Sequence, residues 1–342
     1  MTAEPELRSS AWYAGDDRNS YLHRAWMRRG LPDSAFTGRP QIAIANTASD
    51  LTPCNAHLNE IADFVKRGVW EAGGVPHNLP VVSLGETQVR PTAMLWRNLA
   101  AMAIEEMLRA NPIDGVVLLG GCDKTIPALL MAAASVDLPA IVVPGGPMLN
   151  GTFRGESLGC GTGVWRLSEE VRAGTLSPQA FRDSESSMIR SAGHCNTMGT
   201  ASTMGLLAEA LGTTLPGSAG IPAPDSRLRS NAHEAGRLIV EMIADGRRPS
   251  QVMTAGSFRN AIVARLRHSI AVGRTCVSPR ETTGRLCGTP PASQTPRFTK
   301  SAISLRCALQ GVRSEAVLAI AMCGRPVNAS SVRPRRIHAR CR

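Results

Sequence analysis

The chain has 342 residues, 43% hydrophobic content and a formal net charge of +11 at pH 7. That length allows two domains with a sizeable core. No apolar run reaches the roughly 18 residues of a membrane span, and no signal-peptide pattern is present, so we expect a cytoplasmic protein without a membrane partner. Nine cysteines without framework spacing then predict reduced thiols or metal ligands rather than disulfides.

The positive charge is concentrated at one end of the chain. Residues 265–342 carry 15 Lys and Arg against Glu281 and Glu315, whereas residues 1–264 carry 23 basic and 25 acidic residues. The patterned part of the sequence is therefore nearly neutral and carries no basic patch of the kind that binds nucleic acid. We therefore expect no nucleic-acid partner.

In chain order, the pattern alternates strands with helices. Residues 1–40 predict an N-terminal arm that packs on the rest of the protein. Strands are predicted at 41–47, 79–84, 115–119 and 140–143, with helices at 57–72, 93–110, 127–135, 204–211 and 231–244. Residues 151–190 are expected to be mostly helical, and a short element to lie near 249–262. The alternation predicts an α/β domain over residues 41–263, with three αβα layers around a mostly parallel sheet.

Three reactive side chains follow the predicted strand 115–119 directly. Cys122, Asp123 and Lys124 come after Gly120-Gly121, at the carboxyl end of the strand, where open α/β sheets bind their ligands. Alternatively, the loop contains a buried thiol, a helix-capping Asp and a solvated Lys. This stretch alone does not distinguish the two interpretations.

Cys54, Cys122 and Cys195 all lie in polar loops that contain glycine or proline. Isolated intracellular cysteines are usually small buried hydrophobic residues, but these neighbours are unlike those of a core thiol. Three thiolates would fit an iron-sulfur cluster, either [2Fe-2S] or [4Fe-4S], with one iron open to substrate. Cys160, flanked by glycines, is assigned a structural role.

Glu86 and Asp123 offer hard oxygen ligands suited to Mg²⁺. Glu86 could instead cap a helix, and Lys124 could be the salt-bridge partner of Asp123. The glycines at 145 and 146 resemble a phosphate loop, but no Gly-Lys-Ser/Thr follows, which argues against a Walker site.

Four motifs together resemble one enzyme family, the dihydroxy-acid and sugar-acid dehydratases. They are TPCN at 52–55, SLGE at 83–86, GCDKTIPALLM at 121–131 and GHCNTMGTASTM at 193–204. The resemblance covers residues 8–263. The aromatic arm and the RPTAM run at 90–94 are more similar to the pentonate branch, which dehydrates arabinonate or xylonate. The dihydroxy-acid dehydratase of branched-chain amino-acid biosynthesis is the alternative.

The resemblance implies a hydro-lyase that converts a small sugar acid to its 2-keto-3-deoxy acid. It implies that the cluster is held by Cys54, Cys122 and Cys195. It also implies that Glu86 and Asp123 bind Mg²⁺, with Lys124 as a further ligand that is carbamylated in some relatives. Relatives form dimers or tetramers, and the resemblance leaves the oligomeric state of this chain open.

The chain departs from the family after residue 263. The family's β-rich C-terminal domain, which supplies another Mg²⁺ carboxylate and a serine base, has no counterpart in the sequence. Residues 264–342 are basic, rich in Ser and Cys and without hydrophobic pattern, which suggests an aberrant, frameshifted and disordered tail. The competing hypothesis is an inactive remnant or a basic binding protein that functions through this tail.

Overall fold

A parallel four-stranded sheet forms the centre of the protein. In the computed structural model, the backbone is described for residues 6–275 and the side chains for residues 6–265. The strands are β1 (Gln41–Asn46), β2 (Val75–Pro80), β3 (Gly115–Gly120) and β4 (Ala140–Pro144), in the order β2-β1-β3-β4. All adjacent pairs are parallel, so the four carboxyl ends share one edge.

The N-terminal arm packs on this sheet through a buried carboxylate. It contains the short helices α1 (Ser10–Tyr13) and α2 (Arg18–Arg28) and a 3₁₀ turn at Asp33–Phe36. The carboxylate of Asp114, just before β3, accepts hydrogen bonds from the Ser9 backbone N–H and hydroxyl at 2.8 and 2.7 Å. It also accepts one from the Gln41 N–H at 2.7 Å. One side chain therefore joins the arm to the starts of two strands.

Helices cover both faces of the sheet. They are α3 (Leu58–Glu71), α4 (Met94–Ala110), α5 (Thr125–Val136), α6 (Thr162–Arg172), α7 (Pro178–Met188), α8 (Thr200–Ala210), α9 (Ser226–Ala244), α10 (Pro249–Val252) and α11 (Ala255–Thr275). Buried residues of α3 and α9 pack on one face, and those of α4, α5, α8 and α11 on the other. The predicted three-layer architecture with a parallel sheet is confirmed. Residues 6–275 contain no second, β-rich domain.

The predicted strand at 79–84 was wrong in position, because β2 spans Val75–Pro80. The prediction followed the apolar run, whereas the structure pairs the more polar sequence around His77 with β1. An edge strand needs only one partner and tolerates polar side chains, so hydrophobicity is a weak guide there.

The segment predicted to be mostly helical, 151–190, begins with a hairpin. Strands β5 (Gly151–Phe153) and β6 (Glu156–Leu158) pair antiparallel, ahead of α6 and α7. The turn between them is formed by Arg154 and Gly155, both with positive φ. A two-residue turn with positive φ matches the twist of a hairpin.

Helix α11 runs through the predicted boundary at residue 264. The hypothesis of an aberrant tail for residues 264–342 stays a prediction, and everything after residue 275 lies outside the described residues. Across the helices of the described part, none is both long and apolar enough to cross a membrane.

We predict that Gly68→Ala destabilises the fold. A methyl group on Gly68 would collide with the backbone carbonyl of His233, because α3 and α9 pack backbone to backbone. Overpacking of this kind lowers the free energy of unfolding by about 2 kcal/mol.

The control is Gly256→Ala on α11, where the new methyl group meets only the Thr254 hydroxyl at 3.6 Å. There we expect a gain of about 0.5–1 kcal/mol. Urea unfolding measures both, and equal effects would contradict the prediction.

We predict that the burial of His77 makes the fold less stable as the pH falls. Burial lowers the pKa of His77 from 6.5 to about 4, and its Nε2–H donates to the Gln41 side-chain oxygen at 2.8 Å. Between pH 6.5 and 4, His77 is protonated in the unfolded chain but stays neutral in the folded protein. This histidine therefore removes up to about 1.4 kcal/mol of unfolding free energy per pH unit in that window. We expect a shallower pH dependence in His77→Gln, and an unchanged slope would contradict this.

Candidate functional site

The predicted site residues meet at the carboxyl edge of the sheet. Cys54 lies in the loop after β1, Glu86 in the loop after β2, and Cys122, Asp123 and Lys124 in the loop after β3. Cys195 precedes α8, and the adjacent His194 exchanges backbone hydrogen bonds with Gly146 and Met148 after β4. The parallel topology thus brings all six predicted residues to one region.

The side-chain amide of Asn55 holds three of these loops together. Its oxygen accepts hydrogen bonds from the backbone N–H groups of Gly121 at 2.8 Å and Cys122 at 3.1 Å. Its nitrogen donates to the Ser83 hydroxyl at 3.0 Å. Gly121 is required here because a Cβ would lie 2.7 Å from the Cys54 carbonyl oxygen. Sequence analysis missed this role of Asn55, although the residue lies within the TPCN motif.

The three predicted thiols are neighbours. The Cys122 side chain, 4% exposed, lies beside the Cys54 sulfur, and this contact lowers the pKa of Cys54. The same contact, together with burial, raises the pKa of Cys122. The backbone N–H of Cys195 also donates to the Cys54 sulfur. The loops after β1 and β3 and the loop before α8 therefore place their cysteines together.

Cys160 joins this group, which the sequence analysis did not anticipate. The Cys195 side chain lies beside the Cys160 sulfur, and this interaction is the main cause that lowers the pKa of Cys160 to about 5. The backbone N–H groups of Asn196 and Thr197 act in the same direction. The Cys195 pKa is raised by the same contact and by burial. No motif or spacing in the sequence signals this contact.

A cluster of two carboxylates and one ammonium adjoins the thiols. The Lys124 Nζ lies 2.8 Å from Asp123 Oδ2 and 3.8 Å from Glu86 Oε2. The side chains of Lys124 and Asp123 are only 11% and 14% exposed. The Cys122 thiol approaches Asp123 Oδ1 at 3.5 Å, which connects the two groups of side chains.

Glu86 also caps a helix, as the alternative interpretation expected. Its Oε1 accepts from the Thr92 hydroxyl at 2.7 Å, and its Oε2 accepts from the Ala93 N–H at 3.0 Å, just before α4. The salt-bridge interpretation of Lys124 is likewise fulfilled. Both interpretations are compatible with a site, since a carboxylate that caps a helix still has a lone pair facing Lys124.

Two histidines lie at the same edge, one partly buried and one fully buried. The Nε2–H of His57 donates to the Gly145 carbonyl at 2.7 Å, and its buried Nδ1 has no partner among the described residues. His194 is 1% exposed, and its Nδ1 contacts the Cys195 carbonyl at 3.0 Å. Burial lowers the pKa of both, so both are neutral at pH 7. Neither histidine was identified as a site residue from the sequence.

The donor atoms suit an iron-sulfur cluster and Mg²⁺ by their chemistry. Thiolates are the usual cluster ligands, and carboxylates are the usual Mg²⁺ ligands. Two carboxylates already share a cation, the Lys124 ammonium. Within residues 6–265, however, no three His, Cys, Asp or Glu side chains stand in the arrangement of a formed metal site. The cysteines therefore suit an iron-sulfur cluster, and the carboxylates suit Mg²⁺, in their ligand chemistry and in lying near one another.

We predict that Asn55→Ala disrupts the site and the fold together. Removing the amide leaves the Gly121 and Cys122 N–H groups buried without an acceptor, which costs about 2–4 kcal/mol of unfolding free energy. The Cys122 thiol should also react faster with an alkylating reagent. Asn19→Ala, on the exposed face of α2, is the control and should alter neither property. Wild-type stability in Asn55→Ala would contradict the proposed role of this amide.

Comparison with known proteins agrees with this architecture. Residues 39–272 match the family described as dihydroxy-acid/6-phosphogluconate dehydratase N-terminal. L-arabinonate dehydratase of Rhizobium leguminosarum bv. trifolii is 56% identical over 75% of this chain and 45% of its own length. D-xylonate dehydratase of Caulobacter vibrioides is 44% identical over 75% and 44% of the two chains. Dihydroxy-acid dehydratase of Methanothermobacter thermautotrophicus is 38% identical over 71% and 45%.

These matches cover most of this chain and less than half of each relative. The family match alone extends over more than half of the 342 residues and includes all six predicted site residues. The chain belongs to the dihydroxy-acid/6-phosphogluconate dehydratase family, of which it contains the N-terminal domain.

Proposed function

We propose that this protein is a sugar-acid dehydratase acting on a pentonate such as arabinonate or xylonate. The reaction removes the C2 proton and the 3-hydroxyl group of a 2,3-dihydroxy acid as water. The resulting enol becomes a 2-keto-3-deoxy acid. The observation that carries the proposal is the meeting of Cys54, Cys122 and Cys195 with the Asp123, Lys124 and Glu86 cluster.

In this proposal, Cys54, Cys122 and Cys195 hold an iron-sulfur cluster, [2Fe-2S] or [4Fe-4S]. Glu86 and Asp123 hold Mg²⁺, with Lys124 as a third ligand once its amine is carbamylated, since an ammonium has no lone pair for a metal. When bound, these groups supply Lewis-acid chemistry that makes the hydroxyl a better leaving group and the C2 proton more acidic.

The chain's own residues prepare this site. Asn55 fixes the backbone of Gly121 and Cys122, so the cysteine and Asp123 keep their relative positions. Asp123 and Glu86 place two negative charges beside the Lys124 ammonium. If Lys124 becomes neutral or anionic, these charges are no longer balanced and favour the binding of a metal cation. A base for the C2 proton is not assigned among residues 6–265. The resemblance places it in a C-terminal domain that has no counterpart in this sequence, so we expect turnover by this chain to be impaired.

The pentonate branch is preferred over branched-chain biosynthesis on sequence similarity. Identity is 56% to the L-arabinonate dehydratase and 38% to the dihydroxy-acid dehydratase. Both branches require the same elimination, so the metal-binding residues do not discriminate between them. We expect a cytoplasmic enzyme, since no signal-peptide pattern is present, and the resemblance leaves its oligomeric state open.

The proposal predicts cluster binding and 2-keto-acid formation. The full chain is reconstituted anaerobically with ferrous iron and sulfide, assayed for both elements, and supplied with Mg²⁺. L-arabinonate, D-xylonate and 2,3-dihydroxyisovalerate are then tested as substrates by a 2-keto-acid assay. Turnover of a pentonate supports the proposal, and preference for dihydroxyisovalerate supports the alternative branch. A loaded cluster without turnover of any substrate supports the inactive remnant, and no cluster contradicts the proposal for this chain.

A matched pair of variants tests the Mg²⁺ assignment. Asp123→Asn keeps the side-chain size but removes the charge. Loss of an outer-shell partner of a metal ligand already weakens metal binding by about 10- to 100-fold. Loss of a direct ligand should weaken Mg²⁺ binding by at least that factor. Asp63→Asn, in the exposed Asp63–Lys66 ion pair on α3, is the control and should bind as the wild type does. Isothermal titration of the reconstituted protein with Mg²⁺ measures both. Equal affinities would contradict the role of Asp123.

A further inference from the structure

Cys160 has no task in the proposed reaction, yet it lies against one of the proposed cluster ligands. Its side chain is a neighbour of the Cys195 thiol, because the two side chains shift each other's pKa. The four cysteines of residues 6–265 are all free thiols, and they form two contacting pairs, Cys54 with Cys122 and Cys160 with Cys195. Cys160, in the second pair, has no role in the proposed reaction.

Backbone contacts hold this second pair together independently of the sulfur atoms. The Cys160 N–H donates to the Asn196 side-chain oxygen at 2.9 Å. A Cβ on Gly159 would lie 2.7 Å from the Thr197 hydroxyl, so the two loops touch on either side of the cysteines. The loop after β6 is therefore fixed to the loop before α8 at the position of the two thiols.

The first pair contains a buried thiol and the second does not. Cys54, Cys160 and Cys195 are partly exposed, whereas Cys122 is buried at 4% exposure. The Cys122 thiol is also directed at the Asp123 carboxylate, which disfavours the reactive thiolate. An oxidant from solvent therefore reaches Cys160 and Cys195 more readily than Cys122.

The backbone beside Cys160 has room to move on one side. Neighbouring sulfur atoms must approach further to reach the S–S length of about 2 Å. Cys160 lies between Gly159 and Gly161, and a Cβ on Gly161 would have nothing within 4 Å. The loop thus has open space and few side-chain constraints on that side.

We propose that Cys160 and Cys195 are an oxidation-sensitive thiol pair that closes to an internal disulfide when Cys195 holds no cluster. With hydrogen peroxide as the oxidant, one thiolate attacks a peroxide oxygen, the O–O bond breaks, and water leaves with formation of a sulfenic acid. The second thiol attacks the sulfenic sulfur, the S–S bond forms, and a second water leaves. Two thiols are oxidised and one peroxide is reduced.

The disulfide itself does not depend on the proposed function, but its consequence does. A disulfide at Cys195 removes one of the three proposed cluster ligands, so the oxidised chain cannot be loaded until a thiol reductant reopens the bond. Cluster assembly and oxidation then compete for the same sulfur atom.

Peptide mapping tests the pair directly. Trypsin releases Cys160 in the peptide 155–166 and Cys195 in the peptide 191–227, each with a single cysteine. The cluster-free full chain is treated with hydrogen peroxide, alkylated, digested and analysed by mass spectrometry. We expect a cross-link between these two peptides, with Cys54 and Cys122 still alkylated. Cross-linking of Cys54 to Cys122 instead, or of Cys195 to a cysteine beyond residue 275, would overturn the proposal.

Two variants keep the test specific. In Cys160→Ser the cross-link should be lost and Cys195 should remain alkylated after peroxide treatment. Cys160→Ala is the second variant, and circular dichroism reports whether each is folded. If Cys195 loses its free thiol as fast in both folded variants as in the wild type, then Cys160 is not its partner and the proposal fails.

A final comparison separates this proposal from the proposed function. The chain is reconstituted with ferrous iron and sulfide before or after peroxide treatment. Prior oxidation should abolish the cluster absorbance of the wild type but not of Cys160→Ser, and dithiothreitol should restore it. Equal loading of oxidised and reduced wild-type chains would overturn the competition. If neither protein ever binds a cluster, the proposed function fails, while the peptide map still decides the disulfide.

Discussion

The arrangement of the site depends on the Asn55 side chain and on the parallel sheet beneath it. Parallel strands deliver every loop to the same edge, but they do not fix the loops relative to one another. The Asn55 amide does this by using its oxygen for the loop after β3 and its nitrogen for the loop after β2. A neutral side chain performs this role in a region that contains four thiols, two carboxylates and a lysine, so the connection itself does not depend on pH.

Most of the sheet could be predicted from the sequence because three of its strands are buried. β1 and β3 are buried along their whole length and read as continuous apolar runs ending at polar or glycine residues. β2 could not be located in this way, since it forms an edge and its polar residues around His77 gain their stability from pairing with β1. The hairpin β5–β6 was missed for a related reason: its strands have only three residues each, too few to show an alternation.

The candidate site was predictable to the extent that it follows strand ends. Cys54, Glu86 and Cys122 come directly after predicted strands, so the fold class alone implies that they approach one another. Cys160 follows a hairpin whose position depends on tertiary packing, and its contact with Cys195 rests on hydrogen bonds from a loop 35 residues away in sequence. His57 has a buried Nδ1 whose missing partner becomes visible only in three dimensions.

Glu86 has a consequence for how the site communicates with the rest of the domain. Its carboxylate is shared between the Ala93 N–H at the start of α4 and the Lys124 ammonium. A cation that draws this carboxylate toward Asp123 takes a hydrogen-bond acceptor away from the helix start, where Ala93 is fully buried. Hydrogen exchange at the Ala93 amide would then rise when a cation binds and fall when it leaves. The amide just before α4 would thus report what the carboxylates hold.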